Sequence, residues 1–220
     1  HANGDFITCF DVDDYLYPES IEKKVQFLTS HPDYDIVRTN GYEIQGTKKK
    51  LFVTNELEKN EINIFHSLLL SKTNNWAGSY MIRAKALWEI YPNHIIPGSK
   101  YGQNLQLLLA VSYKRKSGFI DEPLMKYIRN NNSFTGKKKS LNDELELLDG
   151  FRQIQNQVLE TLNITDSNIK KELDIFYAQR KKVLGIDLQD NQLFISNFLI
   201  LKNHNQVSSL DYYYYHKIKK

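Results

Sequence analysis

The segment Phe6-Ile7-Thr8-Cys9-Phe10-Asp11-Val12-Asp13-Asp14 is an apolar run that ends in three carboxylates. A short run rich in β-branched and aromatic residues reads as a buried strand. Side chains alternate along a strand, so Asp11 and Asp13 are expected to point the same way just past its carboxyl end. Open α/β sheets hold their ligands at that edge. Two convergent carboxylates repel each other unless a cation lies between them, and hard divalent cations take oxygen ligands. The competing reading is local: Asp13 or Asp14 caps a helix that begins at Pro18-Glu19-Ser20.

A chain of 220 residues can bury one sizeable core, or a core with a helical appendage. The hydrophobic fraction of 41% and the charged fraction of 25% are ordinary for a soluble globular protein. No apolar run approaches the roughly 20 residues that span a bilayer, and no signal-peptide pattern opens the chain. The single cysteine, Cys9, excludes an internal disulfide and reads as a small core residue. Cytoplasmic location is the expectation. A net charge of +3 does not call for a nucleic-acid partner. Lysine runs at 48–50, 114–116 and 137–139 read as solvated loops and helix ends. The tail, Tyr212-Tyr213-Tyr214-Tyr215-His216-Lys217, mixes aromatics with lysine, a composition suited to peripheral contact with an anionic membrane face.

Periodicity sets out the remaining elements. Ile21, Val25 and Leu28 recur at helical spacing until His31-Pro32. Asp35 to Asn40 reads as a strand, with a weaker one near Leu51-Phe52-Val53. A helix is expected over 62–70, a strand over 79–82, a helix over 84–91 and another marked by Leu105, Leu108 and Leu109. Phe119-Ile120 reads as a short strand stopping before Asp121-Glu122-Pro123. From Ser140 the character changes. Leu141, Leu145, Leu148, Phe151, Ile154, Val158 and Leu162 form an apolar stripe behind a Ser140–Asp143 capping box. A second helix is expected from Asp166 or Ser167 to a stop at Gly185, carrying Ile169, Leu173, Phe176 and Val183. Leu193 to Leu201 is ambiguous between helix and strand.

Taken in order, these pieces resemble the family-two glycosyltransferases of the GT-A fold. Ala2 to Ile7 is similar to the entry of that family's metal-site strand, and Phe10-Asp11-Val12-Asp13-Asp14 with Pro18 to its Asp-x-Asp element. Pro32 to Val37 fits the next strand, and Gly78-Ser79-Tyr80-Met81-Ile82-Arg83 the segment lining the acceptor side. Phe119 to Tyr127 resembles the closing strand and loop. The likeness spans roughly 1–135, with 136–220 as a mainly helical extension. It implies an α/β fold holding part of a GT-A sheet. It also implies an inverting sugar transfer from a nucleotide-diphosphate donor to a glycan or lipid-linked hydroxyl, in bacterial surface polysaccharide assembly. By resemblance Asp13, with Asp11, holds Mn²⁺ or Mg²⁺ against the leaving diphosphate, and Asp11 also approaches the donor ribose.

Two departures stand out. The family supplies its general base as the Asp of a Gly-Glu-Asp element, and the corresponding stretch is Gly102-Gln103-Asn104. Asn104 can hydrogen-bond an acceptor but cannot take its proton. Asp121 or Glu122 as base, proton loss through water, or a non-catalytic interaction module remain the alternatives. The residues that normally precede the Asp-x-Asp strand and form the nucleotide-binding half are also absent. The expectation is the C-terminal part of a longer enzyme or a truncated relative, with exposed strand edges that invite pairing into a homo-oligomer.

Trp76, beside glycine, is placed either to stack on a sugar ring or in the core. Arg129, with Asn132 and Ser133, follows the closing strand where similar enzymes present groups to the diphosphate. The histidines show no metal-ligand spacing, and no Gly-rich phosphate loop occurs. The rival from another class is a haloacid-dehalogenase-like phosphatase with Asp11 as nucleophile and Asp13 as acid and base. Its later motifs lack convincing counterparts. An EF-hand fails because Tyr15 fills a ligand position and no glycine follows.

Overall fold

The structure, a computed structural model, describes residues 2–74, 76–129 and 140–219, with only the backbone of Gln103. Asn132, Ser133 and the lysines at 137–139 lie outside the described residues. The chain forms two compact units, 1–138 with 154–163, and 139–153 with 164–220.

The first unit is built on a sheet of β1 (Phe6–Ile7), β2 (Tyr15–Leu16), β3 (Ile36–Gln45), β4 (Lys48–Leu51), β5 (Tyr80–Arg83) and β6 (Ser117–Ile128). The strand order is β1-β5-β3-β6-β2, with β4 pairing β3 beside this path. β3 and β6 run parallel, and every other pairing is antiparallel. Residues 36–41 of β3 are wholly buried, as a central strand requires. Between the strands come α1 (Ser20–Ser30), α2 (Glu56–Lys59), α3 (Phe65–Leu69), α4 (Ala84–Ile90) and α5 (Gln103–Ser112). Leu28 of α1 packs on Val37 and Met81, with Phe6, Phe27 and Ile120 around them.

Three expectations change. The strand expected from Phe6 through Phe10 stops at Ile7, because the Thr8 hydroxyl takes the Tyr80 carbonyl at 2.6 Å and the ladder ends. Beyond it Phe10 is exposed and Val12 stands fully in solvent. The helix expected over 62–70 is shortened to α3, with the Ile62 carbonyl accepting from the Ser117 amide at 2.9 Å instead, and α2 is a further short helix ahead of it. The short strand at Phe119-Ile120 instead continues to Ile128. Thr39 faces Ile120 while Asn40 faces Pro123, so Asp121 and Glu122 bulge out and the proline sits at the irregularity.

The described C-terminal helices are α6 (Leu141–Thr161), α7 (Ser167–Asp187), α8 (Asn191–Asn203) and α9 (Ser209–Ile218). The Ser140–Asp143 capping box is present, and Asp166 caps α7. The ambiguous segment is helix α8, with Phe194, Asn197, Phe198 and Leu201 buried at helical spacing. Val183 is exposed, off the buried stripe. α7 does not stop at Gly185. That glycine is buried, and a Cβ there would meet the Phe194 amide nitrogen at 2.6 Å. It lets α8 approach α7 closely. Gly185→Ala is therefore expected to lower stability by about 1–3 kcal/mol through forced separation of the two helices, read in a denaturant melt.

Candidate active site

The acidic segment is a turn. The Asp14 amide donates to the Asp11 carbonyl at 3.1 Å, so Asp11 and Asp13 do not alternate along a strand as expected. The turn is anchored on both sides. On one, the Gly78 amide donates to the Cys9 carbonyl at 2.5 Å. On the other, the Ile128 amide at the end of β6 donates to Asp14 Oδ1 at 3.0 Å. Neither Asp13 nor Asp14 caps α1; its N-cap, Glu19, makes no side-chain cap bond.

The carboxylates of this turn repel one another. Burial, reinforced by Asp13, raises the Asp11 carboxyl above its ordinary range. Burial pushes Asp14 up to about 6, and the charges of Asp13 and Asp11 add to it while the Ile128 amide opposes. Asp14 Oδ2 is buried and has no partner. Among the described residues no group of three or more His, Cys, Asp or Glu side chains is arranged to hold a metal unaided. Mg²⁺ is commonly bound by one or two carboxylates and completed by substrate phosphates. Crowded carboxylates beside an unpartnered oxygen fit that mode.

Gly78 is the second wall. Its φ of +81° suits glycine, and a Cβ would meet Phe10 and Leu16 side-chain carbons at 3.1 Å. Its carbonyl accepts from Lys24 Nζ at 2.5 Å. Lys24, on α1, is completely buried, and desolvation pulls its ammonium down to about 8. Ser79 turns its hydroxyl back to the Trp76 carbonyl at 2.7 Å, and its own carbonyl receives the Thr39 amide at 2.8 Å. Trp76 packs between Phe52, at 3.8 Å between centroids, and Tyr127, stacked at 5.5 Å. It is engaged in packing.

Asn104 lies in the first turn of α5, and its Oδ1 accepts from the Tyr80 hydroxyl at 3.2 Å. Tyr80 is almost wholly buried and also bonds the Cys9 thiol. Burial raises both the phenol and the thiol, and the Asp11 charge adds to each. Asn104, Tyr80, Cys9 and Asp11 thus form one continuous neighbourhood. Gln103 contributes backbone to the same turn of α5.

The other candidates are engaged elsewhere. Arg129 pairs with Glu43 at 2.8 Å. Asp121 takes Lys59 and Asn40, which hold its carboxyl below the usual range, and Glu122 pairs with Lys23. Sequence reasoning missed Asp14, Lys24 and Tyr80. Lys24 left one signal: it sits four residues before Leu28, on the face that α1 buries. A cavity of about 690 Å³ opens near the start of β1, lined by Asn3, Asp5, Phe6, Arg83, Trp88 and His94 among others. None of the sequence-derived site residues lines it.

No curated protein matches the chain in sequence. The family model described as glycosyl transferase family 2 matches residues 1–91, which include the acidic turn, Lys24, Gly78 and Tyr80. Over that stretch the chain is similar to glycosyl transferase family 2, and its mixed α/β sheet with a mainly helical C-terminal part is consistent with a partial GT-A fold.

Proposed function

We propose that this chain binds a nucleoside-diphosphate sugar at the acidic turn and passes the sugar, with inversion, to a glycan or lipid-linked hydroxyl. Assembly of a bacterial surface polysaccharide is the setting the family likeness suggests. The observation that carries the reading is the repulsive turn at Asp11, Asp13 and Asp14, pinned between Gly78 and β6 and linked through Cys9 and Tyr80 to Asn104. Asp13 and Asp11 are the residues that would hold Mg²⁺ or Mn²⁺. When bound, the cation supplies positive charge to the diphosphate as it leaves.

The chain's own groups have separate duties. Lys24 and the Cys9 carbonyl fix Gly78, and Gly78 in turn holds the turn in place. Tyr80 holds the Asn104 carbonyl oxygen, which leaves the amide N–H groups as donors to a substrate oxygen. Among the described residues, Asp121 and Glu122 are both ion-paired and so are poorly placed to accept the proton. That pairing favours a second reading, donor binding without efficient transfer. The test is release of UDP, GDP or TDP from the matching nucleotide sugars by the purified chain, with and without Mn²⁺. Metal-dependent release supports the reading, and release at the buffer rate for every donor opposes transfer.

A further inference from the structure

We propose that the outer face of α8 and α9 docks on an anionic lipid bilayer surface. The chain from Asn191 to its end contains one acidic residue, Asp211, and no arginine. Asp211 is buried, serves the capping box of α9 and is taken by Lys182 Nζ at 2.6 Å. Lys202, Lys217 and Lys219 therefore stand on a hairpin whose exposed carboxylate among the described residues is Asp190, held at the N-cap of α8 by the Leu193 amide at 2.9 Å.

The tyrosine run divides between two faces. Tyr214 and Tyr215 turn inward on Phe194 and Phe198, at 6.2 and 4.4 Å between ring centroids. Leu210 and Tyr213 turn outward, each 61% exposed, in the same helical row as Lys217. Beside another side of α9, Lys202 Nζ of α8 lies 6.0 Å from the Tyr212 ring, and Leu199 is also exposed. Leucine and tyrosine among lysines is the composition of a helix lying in a membrane interface: apolar groups enter the acyl boundary, tyrosine sits at headgroup level and lysine meets anionic headgroups. A soluble polyanion would use the lysines and leave Leu210 and Tyr213 without a role. No helix among the described residues is long and apolar enough to cross a membrane, so the contact is superficial.

The experiment is co-sedimentation of the whole chain with phosphatidylcholine vesicles, alone or mixed with phosphatidylglycerol, at low and high salt. Binding is expected only to the anionic vesicles and is expected to weaken with salt. Each lysine removed should weaken partition about fivefold, equivalent to ~1 kcal/mol, so Lys202→Gln, Lys217→Gln and Lys219→Gln together should cost roughly a hundredfold. Leu210→Ser with Tyr213→Ser, which keeps every charge, should also reduce vesicle binding while leaving binding to heparin unchanged. Circular dichroism checks that the variants keep their helices. The proposal is overturned if neither vesicle binds, if both bind equally, or if either variant with intact helicity binds anionic vesicles as well as the native chain. It does not depend on the donor site, so it stands or falls separately from sugar transfer.

Discussion

Asn104→Asp is expected to raise sugar transfer by about 10²–10⁴-fold, the range that a positioned general base contributes. The readout is nucleoside-diphosphate release in the presence of acceptor. The position already has what a base needs except the carboxylate. It lies in the first turn of α5, where unpaired amides favour negative charge, and the Tyr80 hydroxyl bonds its oxygen at 3.2 Å. Asp is nearly isosteric with Asn, so that bond survives the change. The same two donors lower the new carboxyl's pKa, whereas the Asp11 charge that already acts on Tyr80 raises it. Rate should therefore rise with pH through the titration of the new group and then level off. No gain in rate would mean that another group takes the proton, or that the chain binds its donor without transferring from it.

Lys24 produces the second large effect, on stability. Its ammonium is buried against one carbonyl, and desolvation alone holds it near 8 rather than 10.5. Below about pH 8 both folded and unfolded chains carry this proton, and the cost of the buried charge is present in full. Between about 8 and 10.5 the unfolded chain binds more protons than the folded one, so stability rises with pH. The gain is up to about 3 kcal/mol at completion. Lys24→Met keeps the apolar stem and removes the charge, and also removes the donor to Gly78. At neutral pH these opposing changes should leave stability within about 1 kcal/mol of the native chain. By pH 10 the native chain should be the more stable of the two. Lys24→Ala removes the stem as well and should cost about 2–4 kcal/mol at neutral pH. Urea melts across pH check all three, and parallel pH profiles for native and Lys24→Met chains would contradict the assignment.

The helices α6 and α7 were readable because their apolar residues keep a period near 3.6 and their caps are local: Ser140 with Asp143, and Asp166. Residues 193–201 are apolar on several sides, so periodicity could not separate helix from strand there. The two-residue strand β2 carries no local signal, and β1, announced by the apolar run at Phe6, is shorter than that run, since the extent of both is set by partners across the sheet. The same distinction runs through the site. Asp11 and Asp13 announce themselves by composition, whereas Asp14, Lys24 and Tyr80 gain meaning only from partners 114, 54 and 24 residues away. Asp121 and Glu122 looked available in sequence; the bulge in β6 delivers them to Lys59 and Lys23 instead.

The most direct measurement is thermal stability of the native chain and Asp13→Asn with UDP, GDP and TDP, each with and without Mn²⁺. A nucleotide at 100 times its dissociation constant adds about 2.7 kcal/mol to stability. The account predicts that at least one nucleotide stabilises the native chain only when Mn²⁺ is present, and that Asp13→Asn abolishes the shift. Stabilisation that ignores both the metal and the mutation, or none with any nucleotide, would contradict a metal-assisted donor site at this turn.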